Sequence, residues 1–121
     1  MRSMHVKKFA ICVLLAVACT AGATRADDYP SRVVTLVVPY PPGGGVDAMA
    51  RVVAQKLSDV FHQQVIVDNK PGAGGTLGTR AVARATPAGY TLLLGHTGTI
   101  SINPSLYTHA GYDPRKDFAP I

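Results

Sequence analysis

Three features of the sequence predict an α/β fold with a mostly parallel sheet and helices on both faces. A β-branched apolar run at residues 33–38 leads into a glycine loop and then into a helical apolar pattern. The same succession recurs at residues 65–85, with Pro42 and Pro71 at equivalent places, and a third apolar run follows at 90–94. Strands alternating with helices in this way are joined by right-handed crossovers, so they run parallel. The C-terminal ends of all three strands then share one edge, where open α/β sheets take their ligands.

The first strand is Val33-Val34-Thr35-Leu36-Val37-Val38, since an unbroken β-branched run suits a strand covered on both faces. Pro39, Pro41 and Pro42 end it, because proline has no N–H for a sheet ladder. From Val46 the period turns helical for about four turns, with Val46, Met49, Ala50, Val53, Leu57, Val60 and Phe61 in one core stripe. A second strand, Val65-Ile66-Val67-Asp68, runs into a glycine loop at 69–76. The helix after it places Leu77, Ala81, Val82 and Ala85 inward and Arg80 and Arg84 outward. Pro87-Ala88-Gly89 stops that helix, Tyr90-Thr91-Leu92-Leu93-Leu94 forms the third strand, and Gly95-His96-Thr97-Gly98-Thr99 makes a third small-residue loop. Residues 103–106 read as a turn or short helix, 113–118 as a turn, and 118–121 as the start of a fourth strand. A strand begun at the last residues makes a partial or truncated product the expectation, with the third and fourth strands exposing unpaired edges.

Residues 1–26 read as a signal peptide ahead of a partial lobe at 27–121. Arg2, Lys7 and Lys8 precede an apolar run at 9–18, shorter than the roughly 20 residues of a membrane-spanning helix. Ala21-Gly22-Ala23 and Thr24-Arg25-Ala26 are the two cleavage choices, and the expected destination is the periplasm. Ala16-Val17-Ala18-Cys19 loosely resembles a lipobox, through which Cys19 would tether the product instead. Cys12 and Cys19 both lie in this leader, so the mature chain has neither a disulfide framework nor a cysteine metal site. Of 12 Lys and Arg, Arg2, Lys7, Lys8 and Arg25 precede Asp27, leaving eight against seven Asp. The basic balance thus belongs mostly to the leader, and no nucleic-acid footprint remains.

The first glycine loop carries the chemistry. Three adjacent glycines leave amide N–H groups unshielded, and a helix starting there aims its orphan N–H groups and positive dipole end at the same space. The result is an anion-binding arrangement. Formally Gly43-Gly44-Gly45-Val46-Asp47-Ala48 also fits G-x-G-x-x-[GA], with Asp68 where a ribose-binding acid would stand. A fragment of a dinucleotide-binding oxidoreductase is therefore the alternative reading. Export, the triple proline and the second glycine loop all argue against it. No Walker lysine follows either loop. Thr97 stands where a nucleophile elbow carries Ser, and His96 has no identifiable acidic partner, so no nucleophilic triad can be built. His62 and His109 read as solvated, and isolated histidines lack metal-ligand spacing. The expectation is no enzyme, no cofactor and no metal. Asp47 has two readings, a first-turn acid that stabilises its helix or a cleft-facing ligand contact. Lys70 is either an anion partner or a solvated loop lysine. The loops hold no arginine, so anion recognition falls to backbone N–H groups, bound water and the hydroxyls of Thr76, Thr97 and Thr99.

Tyr29-Pro30-Ser31-Arg32, Val37-Val38-Pro39-Tyr40-Pro41-Pro42-Gly43-Gly44-Gly45-Val46-Asp47 and Asn69-Lys70-Pro71-Gly72-Ala73-Gly74-Gly75 resemble the substrate-binding receptors of tripartite tricarboxylate transporters, the Bug-type family. Gly89-Tyr90-Thr91-Leu92-Leu93-Leu94-Gly95, Asn103-Pro104-Ser105-Leu106-Tyr107 and Tyr112-Asp113-Pro114-Arg115-Lys116-Asp117-Phe118-Ala119-Pro120 continue the resemblance in order. It implies a two-lobed periplasmic receptor of the flytrap type. Such a protein holds a small carboxylate between its lobes, passes it to membrane permease subunits, and works as a monomer without a cofactor. The family's ligand contacts fall on Pro42, Gly43, Gly44, Gly45, Val46 and Asp47. They fall also on Gly72, Ala73, Gly74, Gly75 and Thr76, and on His96, Thr97, Gly98 and Thr99. Two departures stand out: Val46 replaces the usual Thr, and His96 stands where smaller or neutral residues are common. The family's chains are much longer, so the second lobe and its half of the cleft are missing. The expected product binds weakly, or is a non-functional truncated gene product.

Overall fold

The computed structural model describes residues 29–121, so the leader, its cleavage sites and Cys19 lie outside the described residues. Strand β1 (Val34–Val38) is followed by helix α1 (Gly45–Phe61), strand β2 (Val65–Asn69), a 3-10 turn (Ala73–Gly75) and helix α2 (Thr76–Ala83). Strand β3 (Thr91–Leu93), a π-helical turn (Gly98–Ile102) and a short helix α3 (Asn103–Leu106) complete the order. The three strands form one parallel sheet in the order β2-β1-β3. Val34 is in register with Val65 and Val38 with Asn69 on one side, and Thr35 with Thr91 on the other.

The chain steps from β1 to β2 in one direction and from β2 back across to β3 in the other. Right-handed crossovers therefore put α1 and α2 on opposite faces of the sheet. Side chains alternate along β1, and the burial follows. Val34, Leu36 and Val38 pack with Ala50 and Ala54 of α1 and with Val65. Val37, also buried, belongs to the opposite face. At the N-terminal end of the sheet Tyr29 meets Phe61 and Tyr90 edge-on at 6.1 and 5.2 Å, and Arg32 lies 3.9 Å over the Tyr90 ring.

Several sequence expectations need correcting. Met49 and Val60 are not core: they are 63% and 72% exposed. The buried face of α1 is centred on Ala50 and Ala54 and takes in Asp47, whereas Met49 and Val60 sit about a third of a turn round the helix at 100° per residue. In α2 the buried residues are Thr76, Gly78 and Thr79, while Leu77 is half exposed and Ala81 is exposed. Close packing explains this, since a Cβ at Gly78 would stand 2.6 Å from the Lys70 carbonyl oxygen and 2.9 Å from Pro39 Cα. Only small residues let that helix approach. Arg80 does not point outward: its Nε and Nη2 donate to the Ala110 carbonyl at 3.0 and 2.7 Å. Residues 118–121 form no strand. A strand exists through its ladder, and the tail is anchored instead through Arg80 and through the Tyr112 hydroxyl, which donates to the Thr99 carbonyl. The open sheet edges are accordingly those of β2 and β3.

Candidate functional site

The loops after β1, β2 and β3 leave the sheet at the same edge. Tyr40, half-buried at the end of β1, stands where they meet. Its hydroxyl lies 3.3 Å from His96 Nδ1, its carbonyl accepts from Asn69 Nδ2 at 3.1 Å, and its Cζ is 3.3 Å from where a Cβ on Gly75 would be. In the order β2-β1-β3 the connections diverge on either side of β1, and the β1/β3 junction is the switch point at which such sheets bind ligands. The first and third loops flank it.

In the first loop Pro42, Gly43, Gly44 and Gly45 are all exposed, and Gly43 has φ 86°. The side chain of Asp47 fixes its shape. Asp47 is 3% exposed and accepts from the Gly43 N–H at 2.9 Å, Arg51 Nε at 3.0 Å and Asn69 Nδ2 at 2.9 Å. The Arg51 hydrogen bond first, then the Gly43 N–H and Asn69, hold its carboxyl down at about 2, below the ordinary 3.8. Of its two readings the first-turn acid describes the geometry: the carboxylate turns inward, and its acceptor capacity serves the loop. The N-cap is Gly44, which makes no side-chain cap bond. The first-turn N–H groups of Gly45, half-buried Val46 and Asp47 thus have no acceptor within the helix. They sit at its positive end beneath an uncovered glycine surface.

The second loop resembles the first in sequence and differs in structure. Gly72, Ala73, Gly74 and Gly75 all have positive φ, and the loop closes on itself: Gly75 N–H donates to Gly72 O at 3.0 Å, and Thr76 N–H to Ala73 O. Thr76 is buried, and Asn103 Nδ2 reaches both its hydroxyl, at 3.1 Å, and Gly74 O, at 2.9 Å. At the end of β2, Asp68 and Lys70 form an ion pair at 2.8 Å. That pair engages both the lysine read as an anion partner and the acid that a ribose would need.

In the third loop Thr99 is fully buried, its hydroxyl donating to His96 O at 3.0 Å and accepting from His96 N–H at 3.2 Å. His96 is exposed. Its Nδ1 accepts from the Gly98 N–H at 3.1 Å, and its ring meets Tyr40 edge-on at 5.4 Å. Thr97 is exposed and Gly98 half-buried. The structure leaves the Gly43 to Val46 backbone, His96, Thr97 and Gly98 at the surface of the same sheet edge. It turns the polar groups of Asp47, Thr76 and Thr99 into the protein, where every buried side-chain polar atom among the described residues is paired. Sequence reasoning missed Tyr40, Asn69 and Asn103, the three side chains that tie the loops together. The signal available was positional and covered only Tyr40 and Asn69, an aromatic and an amide where the first two strands give way to their loops; Asn103 opens α3 beyond the third loop. A groove of ≈ 640 Å³ between α1 and β2, lined by Arg51, Gln55, Ser58 and exposed His62 among others, lies away from these loops.

The class of fold is an α/β parallel sheet with an exposed glycine loop and a helix N-terminus at its switch-point edge, and it matches part of periplasmic binding protein structures. Residues 49–121 match the family described as tripartite tricarboxylate transporter family receptor, and the chain belongs to it. The family is one of binding proteins, not enzymes. The structure of the periplasmic binding protein BugD is 49% identical, with TM-score 0.74 over 77% of this chain and 31% of that one. MatC from Rhodopseudomonas palustris, solved with bound malate, is 41% identical with TM-score 0.73 over 76% and 31% of the two chains. An R. palustris protein solved with adipate is 39% identical with TM-score 0.69 over 72% and 29%. The chain spans about a third of the length of the curated relatives it matches.

Proposed function

We propose that this chain supplies one wall of an extracytoplasmic carboxylate receptor serving a tripartite tricarboxylate-type transporter. The carrying observation is the exposed Gly43-Gly44-Gly45 loop, held in place by Asp47 and Asn69, with first-turn helix N–H groups that have no acceptor within the helix, at the sheet edge that the His96 loop shares. Preformed backbone donors receive an anion without reorganisation. The similarity to proteins solved with malate and adipate supports a small dicarboxylate as the ligand. The contacts are the exposed backbone of the Pro42 to Asp47 loop and the exposed groups of the His96 to Thr99 loop, with the Gly72 to Thr76 loop packed behind them against Thr99. Residues 1–26 direct export, residues 27–121 form the partial lobe, and permease subunits receive the ligand.

Amide chemical-shift mapping of the chain with malate tests this reading. Shifts at residues 43–46 and 96–98, saturating more weakly than micromolar, are expected of a one-walled site. Micromolar or tighter affinity would refute the half-cleft, and shifts with NAD but not malate would favour the dinucleotide alternative. Edman sequencing of the exported product should begin at Thr24 or Asp27; a lipid-modified Cys19 would show a tethered form.

A further inference from the structure

We propose that His96 is the specificity-determining side chain of this site, presenting a fixed Nε2–H donor to the ligand's carboxylate. The inference rests on the carboxylate reading above and goes beyond it in naming one side-chain donor and its protonation state. A backbone N–H can only donate, so the Nδ1 that accepts from Gly98 at 3.1 Å is the unprotonated ring nitrogen. The Tyr40 hydroxyl, 3.3 Å from the same atom, becomes a second donor to it. The ring proton therefore resides on Nε2.

The ring is held as well as tautomerically set. Tyr40 packs edge-on against it, and a Cβ at Gly98 would stand 3.3 Å from Nδ1 and 3.2 Å from the Tyr40 hydroxyl. Glycine at 98 is what lets the imidazole fold back onto its own loop. Nε2 meanwhile has no hydrogen-bond partner among the described residues, and the side chain is exposed. Thr99 donates to His96 O and Lys70 pairs with Asp68, which leaves the His96 Nε2–H and the exposed Thr97 hydroxyl as the open side-chain donors of the third loop. Backbone amides of the first loop register negative charge but carry little information about what bears it. A single rigid N–H on another loop of the same sheet edge adds direction, and a hydrogen bond to an ionised carboxylate is stronger than one to a neutral oxygen.

The test uses the full chain with 15N-labelled histidine, at about pH 8 to keep imidazoles in their neutral range. Long-range 15N–1H correlation should show His96 with a protonated Nε2 and bare Nδ1, and added malate should move the Nε2–H signal together with the amides of residues 44–46. A protonated Nδ1, or an averaged tautomer, overturns the proposal. So does malate that moves the first-loop amides and leaves His96 untouched, an outcome under which the carboxylate reading survives. Malate that moves neither overturns the carboxylate reading and this inference with it. His96→Asn keeps an acceptor for the Gly98 N–H and lacks the reach of Nε2. It should leave the amide spectrum of the sheet unchanged and weaken malate binding about tenfold. Undiminished affinity in that variant overturns the proposal.

Discussion

The two glycine loops look like copies of one another in the sequence, and the fold uses them in opposite ways. In the first, glycine is needed for what it leaves open. A Cβ at Gly43 or Gly45 meets nothing within 4 Å, and one at Gly44 comes only to 3.9 Å from Pro41 O. In the second, glycine is needed for what it lets in. Gly75 would clash with Thr99 Cγ2 at 2.6 Å, and Gly72 with Leu77 Cδ1 at 2.6 Å. Glycines alike on paper thus serve as an exposed N–H surface in one place and as a packing joint in the other. The first loop is held by a side chain, Asp47; the second closes on itself through its own backbone and is tied down by Asn103.

Substitutions can break this contrast. Gly75→Ala should cost most, about 2–4 kcal/mol by urea unfolding, since steric overlap adds to a left-handed φ of 89°. Gly78→Ala, whose overlap is with the Lys70 backbone carbonyl, should follow at about 1–3 kcal/mol. Asp47→Asn should release the first loop and lower the melting temperature at neutral pH. It should also change the acid limb. A carboxyl held at about 2 stabilises the fold fully above its unfolded value near 3.8, and that stability is lost as pH falls through 2. The wild-type stability curve should fall across this window and that of the variant should be flatter. Some slope will remain from Asp113, which the Arg115 N–H holds below the usual carboxylate range. Gly43→Ala has open space but φ 86°, and should cost only about 1–2 kcal/mol. Smallest of all, Gly45→Ala should change stability within about 0.5 kcal/mol. It should nevertheless diminish the malate-induced shifts at residues 44–46, because its methyl group covers the N–H surface. A large stability loss for Gly45→Ala would mean that the first loop is packed like the second.

Much of the fold was legible. Val34 to Val38, the α1 period and the third apolar run gave the parallel order and the shared loop edge, because β-branching and periodicity are local properties. The errors came where a partner decides the outcome. Met49 and Val60 fit a helical stripe by spacing, but the stripe's true centre depends on where the sheet lies. Leu77 should face inward by hydropathy, yet α2 sits so close to Pro39 and Lys70 that only Gly78 and the small threonines fit there. Arg80 reads as a surface residue until Ala110 returns to it across 30 positions. For the proposed site, the first glycine loop was suggested by its composition and His96 by the family resemblance. The turning of Thr76 and Thr99 inward, and the clamp of Asn69 on Asp47 and Tyr40, were not.

The sequence by itself determined the strands, the helices, their parallel order and the presence of a glycine loop at a helix N-terminus, since each follows from residues near one another in the chain. Only the tertiary structure decided which glycine loop stays open and which way Asp47 turns. Those depend on Asn69 and Thr99 arriving from elsewhere in the chain, and a contact between distant residues has no signature until the chain has folded.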